Sequence, residues 1–257
     1  MRHAFSLVEL SIVLVILGLL TGGILTGQSL IRAAELRSVV TDMQRYQTAM
    51  RSFQDKYFAI PGDMRNATSF WGSAGGDGTN AACWDALTTA IPVCNGNGDG
   101  YPGSYAVTTL YRWSERMMAW KHLANAGLIE GSYIGKTDST TNEFMLTGGK
   151  NVPASKIGTA VWDIYGRNGI TGHATEFDDN GGIQLGLRSN GNIATAPLIP
   201  EEVWNIDTKL DDGKPGLGRV RTSKNAYTAC ATTDNAATAV YNVTDKSVNC
   251  ALRMYIE

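Results

Sequence analysis

The sequence predicts an α+β protein. One long N-terminal helix, its first half transmembrane and its second half amphipathic, packs against a C-terminal antiparallel β-sheet domain with long loops and disulfides. Three observations carry this. From Phe5 to Leu25 the only charged residue is Glu9, and an apolar stripe then continues to Tyr57. Most of the 29 glycines fall after residue 60, among short β-rich segments bounded by Gly, Asn or Asp. The four cysteines form two local pairs, Cys83 with Cys94 and Cys230 with Cys250.

The N-terminal element spans Phe5 to Tyr57, roughly 80 Å as one helix at about 1.5 Å per residue. About 20 apolar residues cross a bilayer, and Phe5–Leu25 meets that length if Glu9 is accommodated. A carboxylate inside such a run is costly, and is a functional hypothesis by default. A cleaved secretory signal would have a shorter apolar core followed by a small-residue cleavage site. Here the run is longer and its helical pattern continues past it. Leu36, Val39, Met43, Tyr46, Met50, Phe53 and Tyr57 recur at spacings of three and four, which lays them on one helix face. That stripe is expected to pack on a sheet of the same chain, and Pro61-Gly62-Asp63 to end the helix.

Phe5-Ser6-Leu7-Val8-Glu9-Leu10 and the apolar run after it resemble the N-terminus of type IV pilins and type II secretion pseudopilins. In that family a short basic leader is removed just before a Phe, the new N-terminus is methylated, and the fifth mature residue is acidic. Counting from Phe5, that residue is Glu9. The resemblance implies a leader of residues 1–4, cleavage between Ala4 and Phe5 by a prepilin peptidase, and assembly through Phe5 and Glu9. Ala4 stands where the family usually has Gly, and Thr26 where many pilins have Pro. The implied partners are the peptidase, other pilin or pseudopilin subunits, an inner-membrane assembly platform and the membrane itself. The implied location is single-pass in the inner membrane with residues 58–257 in the periplasm, and then a pilus or pseudopilus. Phe58–Met64, Phe70-Trp71-Gly72 and Asp207–Gly218 are similar to segments of prepilin-like proteins whose role is undetermined.

After the helix, Ser73–Ser104 reads as a Gly/Asn/Asp-rich loop bracketing Cys83 and Cys94. The spacings, with no CxxC, do not suit zinc. Two disulfides in an oxidising compartment are the favoured reading, with buried thiols the alternative. Asn95, Asn97 and Asp99 place oxygen ligands at alternate positions with Gly100 sixth, as in the front half of an EF-hand loop. Position twelve is Ala106, so this is not an EF-hand. A calcium loop of another kind is one reading, and some pseudopilins carry one; a solvated turn cluster is the other and the favoured one. No other cofactor is indicated.

Thr108 or Thr109 caps a helix expected over Leu110–Ala126, with Trp113, Met117, Trp120, Leu123 and Ala124 on its apolar face. Strands are expected at Glu143–Leu146, Thr159–Tyr165, Ile183–Leu187, Ala239–Val243 and Ala251–Ile256, with a helix from Pro200 to Leu210. Cys230 and Cys250 bracket a terminal loop similar to the disulfide-bounded loop of many type IV pilins, which is exposed on the filament surface in that family.

Phosphate loops of GxxxxGK[ST] type, GxSxG elbows and HExxH helices are all absent, so no enzyme is expected. The net charge of -2 gives no basis for nucleic-acid binding. The expected function is a structural subunit of a type IV pilus or pseudopilus. At 257 residues, less a four-residue leader, it is longer than typical major pilins, which points to a minor or tip subunit. The alternatives are an adhesin-like pilin binding a surface, sugar or DNA, and a membrane-anchored protein that does not polymerise.

Overall fold

A computed structural model describes residues 7–103, 114–139, 145–170, 176–191, 196–224, 230–248 and 250–256. The fold is α+β. Helix α1 (Leu7–Tyr57) is 51 residues long, about 76 Å at the usual rise. Its C-terminal half buries Val39, Met43, Tyr46, Ala49, Met50 and Phe53, while Leu36 and Tyr57 pack at the margin. The stripe read from the sequence is therefore the packed face. Tyr46 shows how the layers meet: its ring lies edge-on to Trp120 at 4.9 Å and to Trp162 at 5.6 Å. The stripe thus packs on a helix as well as on the sheet.

Helix α1 stops four residues before Pro61. Phe58 N–H donates to Gln54 O at 2.8 Å, and Phe58 then turns to φ +52°, a left-handed cap position that usually goes to Gly. Two short helices follow, α2 (Thr68–Trp71) and α3 (Ala81–Ala86). The second lies inside the stretch expected to be loop. Asn80 caps it by accepting from Cys83 N–H at 3.2 Å, and its Cys83 and Trp84 enter the core.

Helix α4 (Ser114–Asn125) lies within the expected helix; the expected cap at Thr108 or Thr109 falls outside the described residues. Ser114 through Leu123 are all buried, so the helix is enclosed on every side and not merely on its apolar face. Its charged side chains have partners instead of solvent. Arg116 forms an ion pair with Asp163, and Lys121 Nζ donates to Thr88 O at 2.8 Å as well as to Ala90 O and Tyr133 O. Helix α5 (Pro200–Leu210) spans the expected range, with Pro at its start and Glu201 and Glu202 in its first turn.

The sheet is antiparallel, in the order β1-β2-β4-β3, with β1 (Ala160–Ile170), β2 (Asp179–Ser189), β3 (Val220–Arg221) and β4 (Leu252–Ile256). The register pairs Trp162 with Leu187, Ile164 with Leu185, and Leu185 with Met254. These residues alternate onto the core face. On the other face Asp163 and Arg253 flank Gly186. Two expected strands differ. Ala239–Val243 forms only an isolated bridge, Tyr241 with Ala231, because this segment closes back on its own disulfide loop and not on the sheet. For Glu143–Leu146, residues 143 and 144 lie outside the described residues, and Met145 and Leu146 are irregular chain. The two-residue β3 was too short to read. Both disulfides form, Cys83–Cys94 and Cys230–Cys250, with Cα separations of 5.9 and 5.4 Å.

Candidate functional site

The first half of α1 exposes its large apolar side chains. Leu7 is 85% exposed, and every large apolar residue from there to Ile31 lies open, Ile31 at 62%. This segment is long and apolar enough to cross a membrane. Its hydroxyl groups suit hydrocarbon. Ser11 donates to Val8 O at 2.9 Å, Thr21 to Leu17 O at 2.9 Å, Thr26 to Gly22 O at 2.9 Å and Ser29 to Thr26 O at 2.8 Å. Each hydroxyl is thus satisfied by a carbonyl of the preceding turn. Glu9 sits in the first turn and is the only charge between Leu7 and Ile31. A carboxylate there complements the positive end of the helix dipole. Ala4 and Phe5 lie outside the described residues.

The character of α1 changes at Arg32. Its guanidinium binds Glu202 of α5 twice, Nε to Oε1 at 2.6 Å and Nη2 to Oε2 at 2.8 Å, while Nη1 reaches Glu35 Oε2 at 2.9 Å. The bonds to Glu202 hold the guanidinium in its charged form and raise its pKa. Glu202 Oε2 also accepts from Ile199 N–H at 3.1 Å, closing the start of α5. One carboxylate therefore caps a helix and fixes α1 to the domain.

A second polar centre forms where the chain leaves α1. Asp63 Oδ1 accepts from Gly98 N–H at 2.6 Å and Asp99 N–H at 3.1 Å, and Oδ2 accepts from Gly100 N–H at 2.8 Å. Glu115 of α4 takes Asn97 N–H at 2.8 Å and Gly103 N–H at 3.3 Å. The Asn95–Gly100 turn thus wraps its backbone donors around two buried carboxylates. Burial pushes the Glu115 carboxyl up to about 8 and raises that of Asp63.

The ligand set read from spacing is only partly brought together. Asn95 Oδ1 accepts from Thr68 N–H at 2.9 Å, and Asn97 Oδ1 from Asp99 N–H at 2.8 Å. Asp99 instead stands with Asp63 and Glu115, their carboxylate oxygens within 4.8 Å of one another. A cation at this turn would be held by those three and not by the two asparagines. Asp63 and Glu115 carry no spacing signal, since they reach the turn from 35 residues before and 18 residues after it. Nearby, Gly62 N–H donates to His122 Nδ1 at 3.0 Å. The His122 ring packs beside both Phe53 and Trp71, at 6.0 and 5.3 Å between centroids, and burial holds it neutral with a pKa of about 3.

Comparison with protein-family models, with curated proteins and with solved structures finds no match in any of the three.

Proposed function

We propose that this chain is a structural subunit, of minor or tip type, of a type IV pilus or pseudopilus, cleaved between Ala4 and Phe5 and polymerised through the first half of α1. The observation that carries the reading is the division of one helix. Residues from Leu7 to Ile31 expose their apolar side chains on all sides, while farther along the same helix one face, Val39, Met43, Tyr46, Ala49, Met50 and Phe53, is buried in the core. A contiguous apolar surface of that size serves a membrane or a protein partner. In the proposed scheme it serves both in turn, as inner-membrane anchor with a periplasmic domain, then as filament core.

Glu9 sets the register. Cleavage before Phe5 creates a free amine, and the Glu9 carboxylate of an incoming subunit pairs with the Phe5 amine of its neighbour in a site shielded from water. Removing one partner of such a pair leaves a buried charge and costs about 3–5 kcal/mol. The pair therefore acts more through register than through net stability. The prepilin peptidase, the other subunits and the inner-membrane assembly platform are the proteins the chain meets along this route.

The test is Glu9→Ala in cells that make the protein. The domain beyond residue 58 is expected to fold with both disulfides formed, while filaments containing the chain are lost or disordered by electron microscopy. Filaments of normal number and order from this variant would sink the reading.

A further inference from the structure

A groove of about 550 Å³ runs between α1 and α5, lined by Leu36, Val40 and Ile206 on its floor and by Arg37 and Lys209 at its rim. Its lining holds two cations and no carboxylate. The acids nearest along the chain are engaged elsewhere: Glu35 and Glu202 with Arg32, Asp42 with Arg45, Asp207 with the Tyr241 hydroxyl, and Asp211 with the backbone N–H groups of Arg219 and Val220. Among the described residues no carboxylate pairs with Arg37 or Lys209, and both side chains are exposed.

Position gives this chemistry a meaning. The open apolar run ends at Ile31. At about 1.5 Å per residue, Leu36 and Arg37 stand about 8–9 Å beyond it. The headgroup layer on each side of a bilayer is roughly 5–8 Å thick. Side chains on a helix lean toward its N-terminus, which for α1 is the membrane end, so Arg37 leans back into that layer. Cations just beyond a span attract anionic lipid, and an apolar floor beside them suits the glycerol and upper acyl carbons.

We propose that this groove is a binding site for the headgroup of an anionic phospholipid in the leaflet on the domain's side, with Arg37 and Lys209 on the phosphate and Leu36, the floor residue of α1 nearest the membrane, beneath the glycerol. The site rests on the membrane-spanning part of the proposed function, not on polymerisation. It orients the domain on the bilayer surface.

The test uses the full chain in nanodiscs of equal phosphatidylglycerol and phosphatidylcholine, released and weighed by native mass spectrometry. The wild type is expected to retain phosphatidylglycerol over phosphatidylcholine. Arg37→Gln and Lys209→Gln are each expected to lower that preference roughly fivefold, and the double variant by roughly 25-fold. Lys56→Gln, at the far end of α1, is expected to keep it. Equal preference in wild type and double variant would overturn the site. A photo-crosslinker at Thr41 that captures a second chain and no lipid would overturn it in favour of a subunit contact. Vesicle flotation separates the two levels: a chain that fails to float removes the span and the site together, whereas one that floats without lipid preference removes only the site.

Discussion

Arg32 of α1 and Glu202 of α5 share two hydrogen bonds, 2.6 and 2.8 Å, at the point where the open half of α1 becomes the packed half. The pair is partly screened, with Arg32 36% exposed and Glu202 11%. A bidentate, partly exposed ion pair is worth about 1 kcal/mol. Arg32→Ala is therefore expected to lower stability by about that amount in urea titrations in detergent, with Glu202→Gln giving a similar loss and the double variant little more. Additive losses would mean that the two side chains act independently. The exposed pair Lys246–Glu201 is the control and should give a loss near zero.

Gly62 has φ +93°, and a Cβ there would collide with the Glu115 carbonyl oxygen and crowd Ala119. Left-handed backbone and close approach to α4 both exclude a side chain. Gly62→Ala is expected to cost roughly 2–4 kcal/mol, read as a lower denaturation midpoint. Gly127→Ala shares the left-handed backbone, at φ +72°, but no neighbour crowds its Cβ position. It is expected to cost only about 1 kcal/mol. Equal losses would show that backbone strain alone, and not contact with α4, sets the requirement at Gly62.

Asp207 gives the domain a pH dependence. Its carboxyl is buried, accepts from Tyr241 O–H at 2.8 Å and from Gly213 N–H at 3.2 Å, and lies near Asp211 and Asp212. Burial pushes its pKa up to about 7, against a usual value of 3.8. A raised acid favours its protonated form in the folded state. Its stabilising effect is whole below about pH 4 and lost as pH rises through 7, on the order of 3 kcal/mol. His122, held neutral, acts in the opposite sense between pH 3 and 6.5, so the comparison must be between wild type and Asp207→Asn. The wild type is expected to lose stability relative to the variant as pH rises from 4 to 7, followed by thermal denaturation. Parallel curves would refute the assignment.

The elements carried by local pattern were legible. The stripe from Leu36 to Tyr57, the helix from Pro200 to Leu210, the first half of β1, the centre of β2 and the whole of β4 follow from spacing and punctuation alone. What spacing could not reveal was partnership across the chain. Glu115, Arg116, Lys121 and His122 interrupt the apolar pattern of α4, yet all four are buried, because their partners lie in segments folded over them. Asn95, Asn97 and Asp99 show the same limit. Their alternation places oxygens at regular intervals, but backbone N–H groups claim an oxygen of each, and two of the three carboxylates that gather at the turn, Asp63 and Glu115, come from elsewhere. Ala239–Val243 has the composition of a strand, yet among the described residues its partner is the short stretch at Cys230–Thr232 and not a strand of the sheet.

The most direct test of the filament reading is mass spectrometry of the N-terminal peptide from chains recovered in sheared surface or periplasmic filaments. The account predicts a peptide that begins at Phe5 and carries a methyl group on its amine, with Glu9 unmodified. Filament chains that retain Met1 through Ala4 would contradict it.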